Sequence, residues 1–204
     1  MTDVVILADG EFPRRPELLD LLRRATTVVC CDGAAEKLLA FGREPDWIVG
    51  DLDSVSPAAK ERFSDKLAYI AEQETNDLAK AFRFCRDRGL IPTAALGASG
   101  GREDHLLGNL ARFAEAAGPE CRLYTERGYF IAFSGRGEFS GRIGAPLSIF
   151  SFDPAQKITS QGLKYPLNDL ALSRWYTGTL NVIAAEKFTL SASSASPILL
   201  FFAD

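Results

Sequence analysis

Carboxylates recur where the apolar runs of this chain stop. The run Val4–Ala8 closes in Asp9-Gly10, Val28–Cys31 in Asp32-Gly33-Ala34, and Trp47–Val49 in Gly50-Asp51-Leu52-Asp53-Ser54. In open α/β sheets ligands bind beyond the carboxyl ends of the strands, so acids at several neighbouring strand ends converge in space. Asp51 and Asp53 stand two apart, a spacing that in an extended strand end turns both side chains to one side. There they can share a hard cation that also holds phosphate oxygens. The same residue types also close turns, and Asp53 or Ser54 can instead cap the turn into a helix after Pro57.

Two further segments carry chemistry. Glu74-Thr75-Asn76-Asp77 precedes a helical pattern, so Asn76 or Asp77 can serve as its N-cap. Lys80 falls three residues on, beside Asp77 on the first turn, and pairs an acid able to hold metal with a cation able to hold phosphate. Gly97-Ala98-Ser99-Gly100-Gly101-Arg102-Glu103-Asp104-His105 follows a strand and opens a helix. Its glycines let backbone amides approach an anion, and Arg102 adds a forked cation. This is neither the GxxxxGK[ST] nor the GxGxxG pattern. His105 reads either as a general acid or base or as a hydrogen-bonding group at a helix start.

These residues must be held by elements that the apolar pattern predicts. Val4–Ala8, Val28–Cys31, Trp47–Val49, Leu67–Ile70, Thr93–Leu96 and Arg122–Tyr124 read as short buried parallel strands. Between them Glu17–Arg24, Ala35–Phe41, Asp77–Arg88 and Glu103–Ala117 repeat apolar residues at helical spacing, the last with Leu106, Leu107, Leu110, Phe113 and Ala114. Strand alternating with helix predicts a parallel sheet covered on both faces. After about Gly128 alternating aromatics and scattered glycines read as antiparallel β, with strands at Tyr129–Phe133, Leu147–Phe152, Leu180–Ala184, Phe188–Ser191 and Ile198–Phe202. The expected organisation is an α/β domain over 1–125 and a β-sandwich over 126–204.

Composition narrows the function. The 204 residues are 47% hydrophobic, which supports a sizeable core. The net charge is −4, with no cluster of Lys and Arg, so a nucleic-acid partner is not expected. The acidic excess lies before position 126, as suits a metal–nucleotide site. Four cysteines without a CxxC, and a single histidine, argue against zinc. No leader and no bilayer-spanning stretch is read, which predicts a cytoplasmic setting with no membrane.

The ordered set Cys31-Asp32-Gly33-Ala34, Gly50-Asp51-Leu52-Asp53-Ser54, Thr75-Asn76-Asp77-Leu78-Ala79-Lys80-Ala81, Gly97 to His105 with Asn109, and Gly162-Leu163-Lys164-Tyr165-Pro166-Leu167 resembles the thiamine pyrophosphokinase family from end to end. The resemblance implies an N-terminal α/β domain holding ATP and Mg²⁺, a C-terminal β-sandwich that helps hold thiamine, and a homodimer with sites between subunits. It makes Asp51, Asp53 and Asp77 metal-binding acids and places Asp104 near metal and substrate. Asp32 becomes an acid beside that cluster, and Asn76, Lys80, Gly100, Arg102 and His105 join it around the nucleotide, with Lys80 and Arg102 as phosphate cations. Tyr165 and Asn181 fall to the acceptor. Three departures from the family pattern stand out: Glu-Thr-Asn before Asp77 where relatives commonly have Asp-x-Thr, Tyr165 where tryptophan is common, and Leu180 where serine often precedes Asn181. They bear on acceptor contacts more than on phosphoryl chemistry.

The implied reaction is attack of the thiamine alcohol on the β-phosphorus of ATP with AMP leaving. Asp104, then His105, are the candidate bases if one is needed. A rival is diphosphate transfer to another small alcohol such as a hydroxymethyl pterin, which the Gly162–Leu167 motif disfavours. A non-catalytic thiamine or nucleotide binder is another, disfavoured by the full set of acids with Lys80 and Arg102.

Overall fold

Unbroken runs of Val, Ile, Cys and Ala become strands with no solvent face. In β1 (Val4–Leu7) every residue is buried, and in β2 (Thr27–Cys31) all but the first. With β3 (Trp47–Gly50), β4 (Leu67–Tyr69), β5 (Pro92–Leu96) and β6 (Arg122–Thr125) they form a parallel sheet in the order β6-β5-β1-β2-β3-β4. Helices α1 (Pro16–Arg24), α2 (Ala34–Ala40), α3 (Pro57–Arg62), α4 (Asp77–Asp87) and α5 (Glu103–Ala116) connect them. Their apolar stripes, Leu18 and Leu22 on α1 or Leu78, Ala81, Phe82 and Cys85 on α4, are buried. The computed structural model describes residues 3–204, in two compact units that divide between Glu126 and Arg127.

The strand order places the ligand crevice. From β1 the chain steps outward through β2, β3 and β4, then returns to the other side of β1 with β5, so the connections diverge at the β1 and β5 ends. Two glycines let those ends close together. The Gly10 N–H donates to the Gly97 carbonyl at 2.7 Å, and the Glu11 N–H to that of Ser99 at 2.9 Å. A β-carbon on Gly10 would overlap the Gly97 carbonyl, and one on Gly97, at φ +67, would overlap that of Ala8.

α5 departs from its expected face. Phe113 and Ala114 are buried, whereas Leu107 is 53% exposed. The first turns of the helix rim a cavity instead of packing into the core.

The second unit contains β7 (Gly128–Phe133), β8 (Arg136–Ser140), β9 (Pro146–Ser151), β10 (Lys157–Gln161), β11 (Leu170–Ala171), β12 (Gly178–Val182), β13 (Lys187–Ala192) and β14 (Ile198–Ala203). They build two antiparallel sheets, one containing β12-β9-β14-β7 and the other ordered β11-β10-β13-β8. Leu147, Ile149, Ile198 and Leu200 of the first share a core with Ile158, Phe188 and Leu190 of the second, the sandwich arrangement expected. β8, β10 and β11 were not expected, because their runs (RGEFS, KITSQ, LA) are too polar or too short to stand out.

Candidate active site

The acids after β2 and β3 are brought together by turns. Asp32 takes φ +42 and Leu52 φ +62, left-handed conformations uncommon for residues with a side chain. Such strain persists only where surroundings enforce it, and clusters at functional sites. Leu52 drives its side chain into the core, and the Asp53 N–H turns back to donate to Asp51 Oδ1 at 3.3 Å. Asp51 and Asp53 therefore converge through a turn anchored by Leu52, not through the strand alternation that their spacing implied. The capping alternative is resolved as well: Ser56 caps α3, its Oγ accepting from the Ala59 N–H at 3.2 Å.

Carboxylate oxygens of Asp32, Asp51 and Asp53 lie within 4.8 Å of one another. Asp32 Oδ2 accepts from the Ser54 N–H at 3.1 Å, while its buried Oδ1 has no hydrogen-bond partner among the described residues. Burial, opposed by that Ser54 bond and reinforced by Asp53, Asp77 and Asp51, pushes the Asp32 pKa up to about 6. Asp51 is pulled the other way, mainly by the Gln73 amide donating to its Oδ2 at 3.0 Å. An oxygen-only donor set with one buried oxygen lacking a donor fits a hard divalent cation.

At the start of α4 the cap is Asn76, whose Oδ1 accepts from the Ala79 N–H at 3.0 Å, so Asp77 is free of that duty. Asp77 lies outside the three-carboxylate group but near enough for its charge to act on Asp32. Its Oδ1 accepts from Lys80 Nζ at 3.1 Å. Lys80 is buried, and among the described residues Asp77 is the partner of its ammonium, which has three hydrogens to place. A desolvated cation with spare donors calls for an anion.

The glycine-rich turn presents Arg102 and Asp104 to solvent, joined by two bonds of 3.1 and 2.6 Å. The Arg102 guanidinium holds the Asp104 carboxyl down at about 2, which makes it a poor proton acceptor while paired. The His105 N–H also donates to Asp104, and the histidine is exposed on the first turn of α5. Gly100, at φ +80, leaves no room for a β-carbon beside Glu11.

A cavity of ≈ 610 Å³ gathers Asp51, Asp77, Lys80, Arg102, Asp104 and His105, with Asn76 also on its wall. Asp32, Asp53 and Gly100 are not on that wall, although Asp32 and Asp53 share the carboxylate group with Asp51. Sequence reasoning missed Gln73, which precedes Glu74 in a loop with no distinguishing pattern. It also left Asp9 unassigned, although the strand-end rule had pointed at it. Asp9 lines the cavity and is fixed by Lys37 of α2, whose ammonium reaches Asp9 Oδ1 at 2.8 Å and the Asp9 and Gly10 carbonyls at 2.7 Å.

In the second unit Tyr165 is 56% exposed, on an arch whose ends Leu163 and Leu167 are buried. Lys164 Nζ lies 5.5 Å from the centre of its ring. Asn181, on β12, is buried and its amide is spent on backbone: Oδ1 accepts from the Tyr165 N–H at 3.2 Å and from the Val182 N–H at 2.8 Å, and Nδ2 donates to the Tyr165 carbonyl at 2.7 Å. Leu180 beside it is 80% exposed at φ +60.

Comparison with known proteins finds relatives along the whole length of the chain. The sequence model described as "Thiamin pyrophosphokinase, catalytic domain" matches residues 18–125, and "Thiamin pyrophosphokinase, substrate-binding domain" matches 128–201. Thiamine pyrophosphokinase 3 of rice is 36% identical over 132 residues, covering 52% of this chain and 48% of its own. The chain thus spans about half the length of that relative. Thiamine pyrophosphokinase of Bacillus subtilis is 27% identical over 83% of each chain. A crystal structure of thiamine pyrophosphokinase from B. subtilis shares the fold, with a TM-score of 0.77 at 24% identity over 99% of both chains. With both sequence models matched in succession along it, the chain belongs to the thiamin pyrophosphokinase family.

Proposed function

We propose that the protein transfers the diphosphate group of ATP to the primary alcohol of thiamine, releasing AMP. The observation that carries this reading is the Asp32–Asp51–Asp53 group, with its buried undonated oxygen, at the strand ends where Asp51 shares a cavity wall with Lys80 and Arg102. Mg²⁺ is the cation assigned to these acids, with Asp77 adjacent, and when bound it supplies neutralisation of phosphate charge. Lys80 offers its unused donors to phosphate oxygens. Arg102 exchanges Asp104 for phosphate, a match its planar fork makes well.

The alcohol oxygen bonds to the β-phosphorus as the bond to the oxygen bridging the α- and β-phosphates breaks and AMP departs with that oxygen. Charge gathering on the leaving oxygen and on the transferred group is met by the fixed cations. The alcohol proton passes to Asp104, which Arg102 releases as it turns to phosphate, or to His105 beside it. Holding the reactants in line supplies much of the rate, effective molarities reaching on the order of 10⁵ M. In the unit from Arg127 onward, the exposed face of Tyr165 is assigned to the cationic thiazolium, and Asn181 sets the backbone from which it projects. A homodimer with sites between subunits, and a cytoplasmic setting, complete the proposal.

Incubation with ATP, Mg²⁺ and thiamine should give AMP and thiamine diphosphate in equal amounts. ADP with thiamine monophosphate would overturn the reading. Turnover of a hydroxymethyl pterin in place of thiamine would move the acceptor, and nucleotide binding without turnover would mark a binding protein.

A further inference from the structure

Asn109 lies on α5, on the wall of the cavity. Its Nδ2 donates to the Ala98 carbonyl at 2.9 Å, and its Oδ1 accepts from Asn76 Nδ2 at 2.9 Å. Asn76 in turn caps α4 through its own Oδ1. The polarity of this relay is fixed at both ends by groups that cannot reverse. A backbone N–H must donate to Asn76 and a backbone carbonyl must accept from Asn109, so both amides have one permitted orientation.

We infer that Asn109 is a positioning residue that sets the spacing between the two phosphate-binding edges of the cavity. One edge is the start of α4, with Asp77 and Lys80. The other is the turn from Ala98 to Asp104, with Arg102. The hydrogen bonds Asn76–Asn109 and Asn109–Ala98 join both to α5 through a single side chain. A phosphate chain gripped from both edges is held in line only if their separation is constant, and misplacement of about 1 Å can cost on the order of 100-fold in rate. The inference rests on the diphosphate-transfer reading for its consequence, though not for its geometry.

Three variants test it. Asn109→Ala removes the hub. Asn109→Asp keeps the volume but sets an acceptor against the Ala98 carbonyl. Asn76→Asp keeps the helix cap while losing the donor to Asn109. Each should lower kcat between about 10- and 100-fold at a temperature well below its melting point, with a smaller rise in the KM for ATP. The double variant Asn76→Asp/Asn109→Ala should be no slower than Asn76→Asp alone, because both interrupt one relay. Multiplicative losses in the double variant would overturn the inference, as would full kcat in Asn109→Asp. If Asn109 variants do not fold, Asn76→Asp carries the test, and unchanged kcat there overturns it. Calorimetric affinity for the Mg²⁺ complex of a non-hydrolysable ATP analogue should fall in all three variants, and unchanged affinity counts against the relay. Failure of the wild type to form AMP refutes the diphosphate-transfer reading separately, leaving the calorimetry to judge the spacing.

Discussion

The two units use side chains differently. Up to Glu126, acids at the ends of β2 and β3 and at the start of α4 are each held by a named partner: Asp32 by the Ser54 N–H, Asp51 by Gln73 and the Asp53 N–H, Asp77 by Lys80. From Arg127 onward, the candidate contact is one exposed tyrosine held by one buried asparagine. Gripping phosphate and a divalent cation demands several charged groups at fixed separations, because each is costly to bury without the others. Stacking on a flat cation demands only an aromatic face and a rigid backbone beneath it. The first kind of site constrains residue identity at many positions, the second at few.

That contrast predicts unequal mutational costs. Asp51→Asn and Asp53→Asn should each lower turnover by more than about 100-fold, beyond the 10–100-fold typical of groups that only support a metal ligand. Melting should change little, since Asp53 is exposed and Asp51 partly so. Turnover measured beside thermal melting checks both statements, and near wild-type turnover in either variant would remove that acid from the metal site. Gln73→Ala, which frees Asp51 without removing it, should fall in the 10–100-fold range, with part of the loss recovered at high Mg²⁺.

Legibility followed the same division. β1, β2 and β3 were readable because a strand buried on both faces must be continuously apolar, and the acids after them because the chain must turn polar where it leaves the sheet. How Asp51 and Asp53 meet was not readable, since the left-handed Leu52 that swings them together is an ordinary residue in an unusual conformation. Gln73 was silent for a related reason, being a neutral amide in a loop. In the sandwich, β8 and β10 escaped because their alternation is carried by Phe139 and Ile158 among polar neighbours, too few apolar residues to register. The Asn181–Tyr165 clamp joins side chain to backbone across sixteen positions, and no local pattern encodes it.

Within the second unit the expected effects are smaller and separable. Asn181→Ala leaves the Tyr165 backbone without its partner in a partly buried setting, a loss of about 0.5–1.5 kcal/mol for each bond. At about 2–4 °C per kcal/mol for a chain of this size, the melting temperature should drop measurably. The KM for thiamine should rise with it while that for ATP stays. Tyr165→Ala should leave melting nearly unchanged, because the ring is 56% exposed. It should raise the thiamine KM by a factor between about two and thirty, as losing 0.5–2 kcal/mol of cation–π attraction implies. Tyr165→Trp should hold or improve thiamine affinity, and a folded Trp variant that binds thiamine much more weakly would end the stacking assignment.

The smallest effect concerns the cysteines, all four of which lie in the first unit, free and buried. Burial pushes the Cys85 and Cys121 thiols up to about 12 and those of Cys30 and Cys31 clearly above the ordinary range. The thiolate is the species that reacts, so the native protein near neutral pH should resist iodoacetamide while the denatured chain takes four adducts. Treated enzyme should retain full turnover. Because the second unit has no cysteine, any slow labelling reports opening of the first unit alone. Mg²⁺ with a non-hydrolysable ATP analogue should slow that labelling, since a ligand that binds the folded state stabilises it, whereas thiamine alone should slow it less if its contacts lie beyond Arg127. Intact-mass measurements over time distinguish these cases. Equal protection by thiamine alone would place the acceptor against the first unit and dissolve the division of labour between the two.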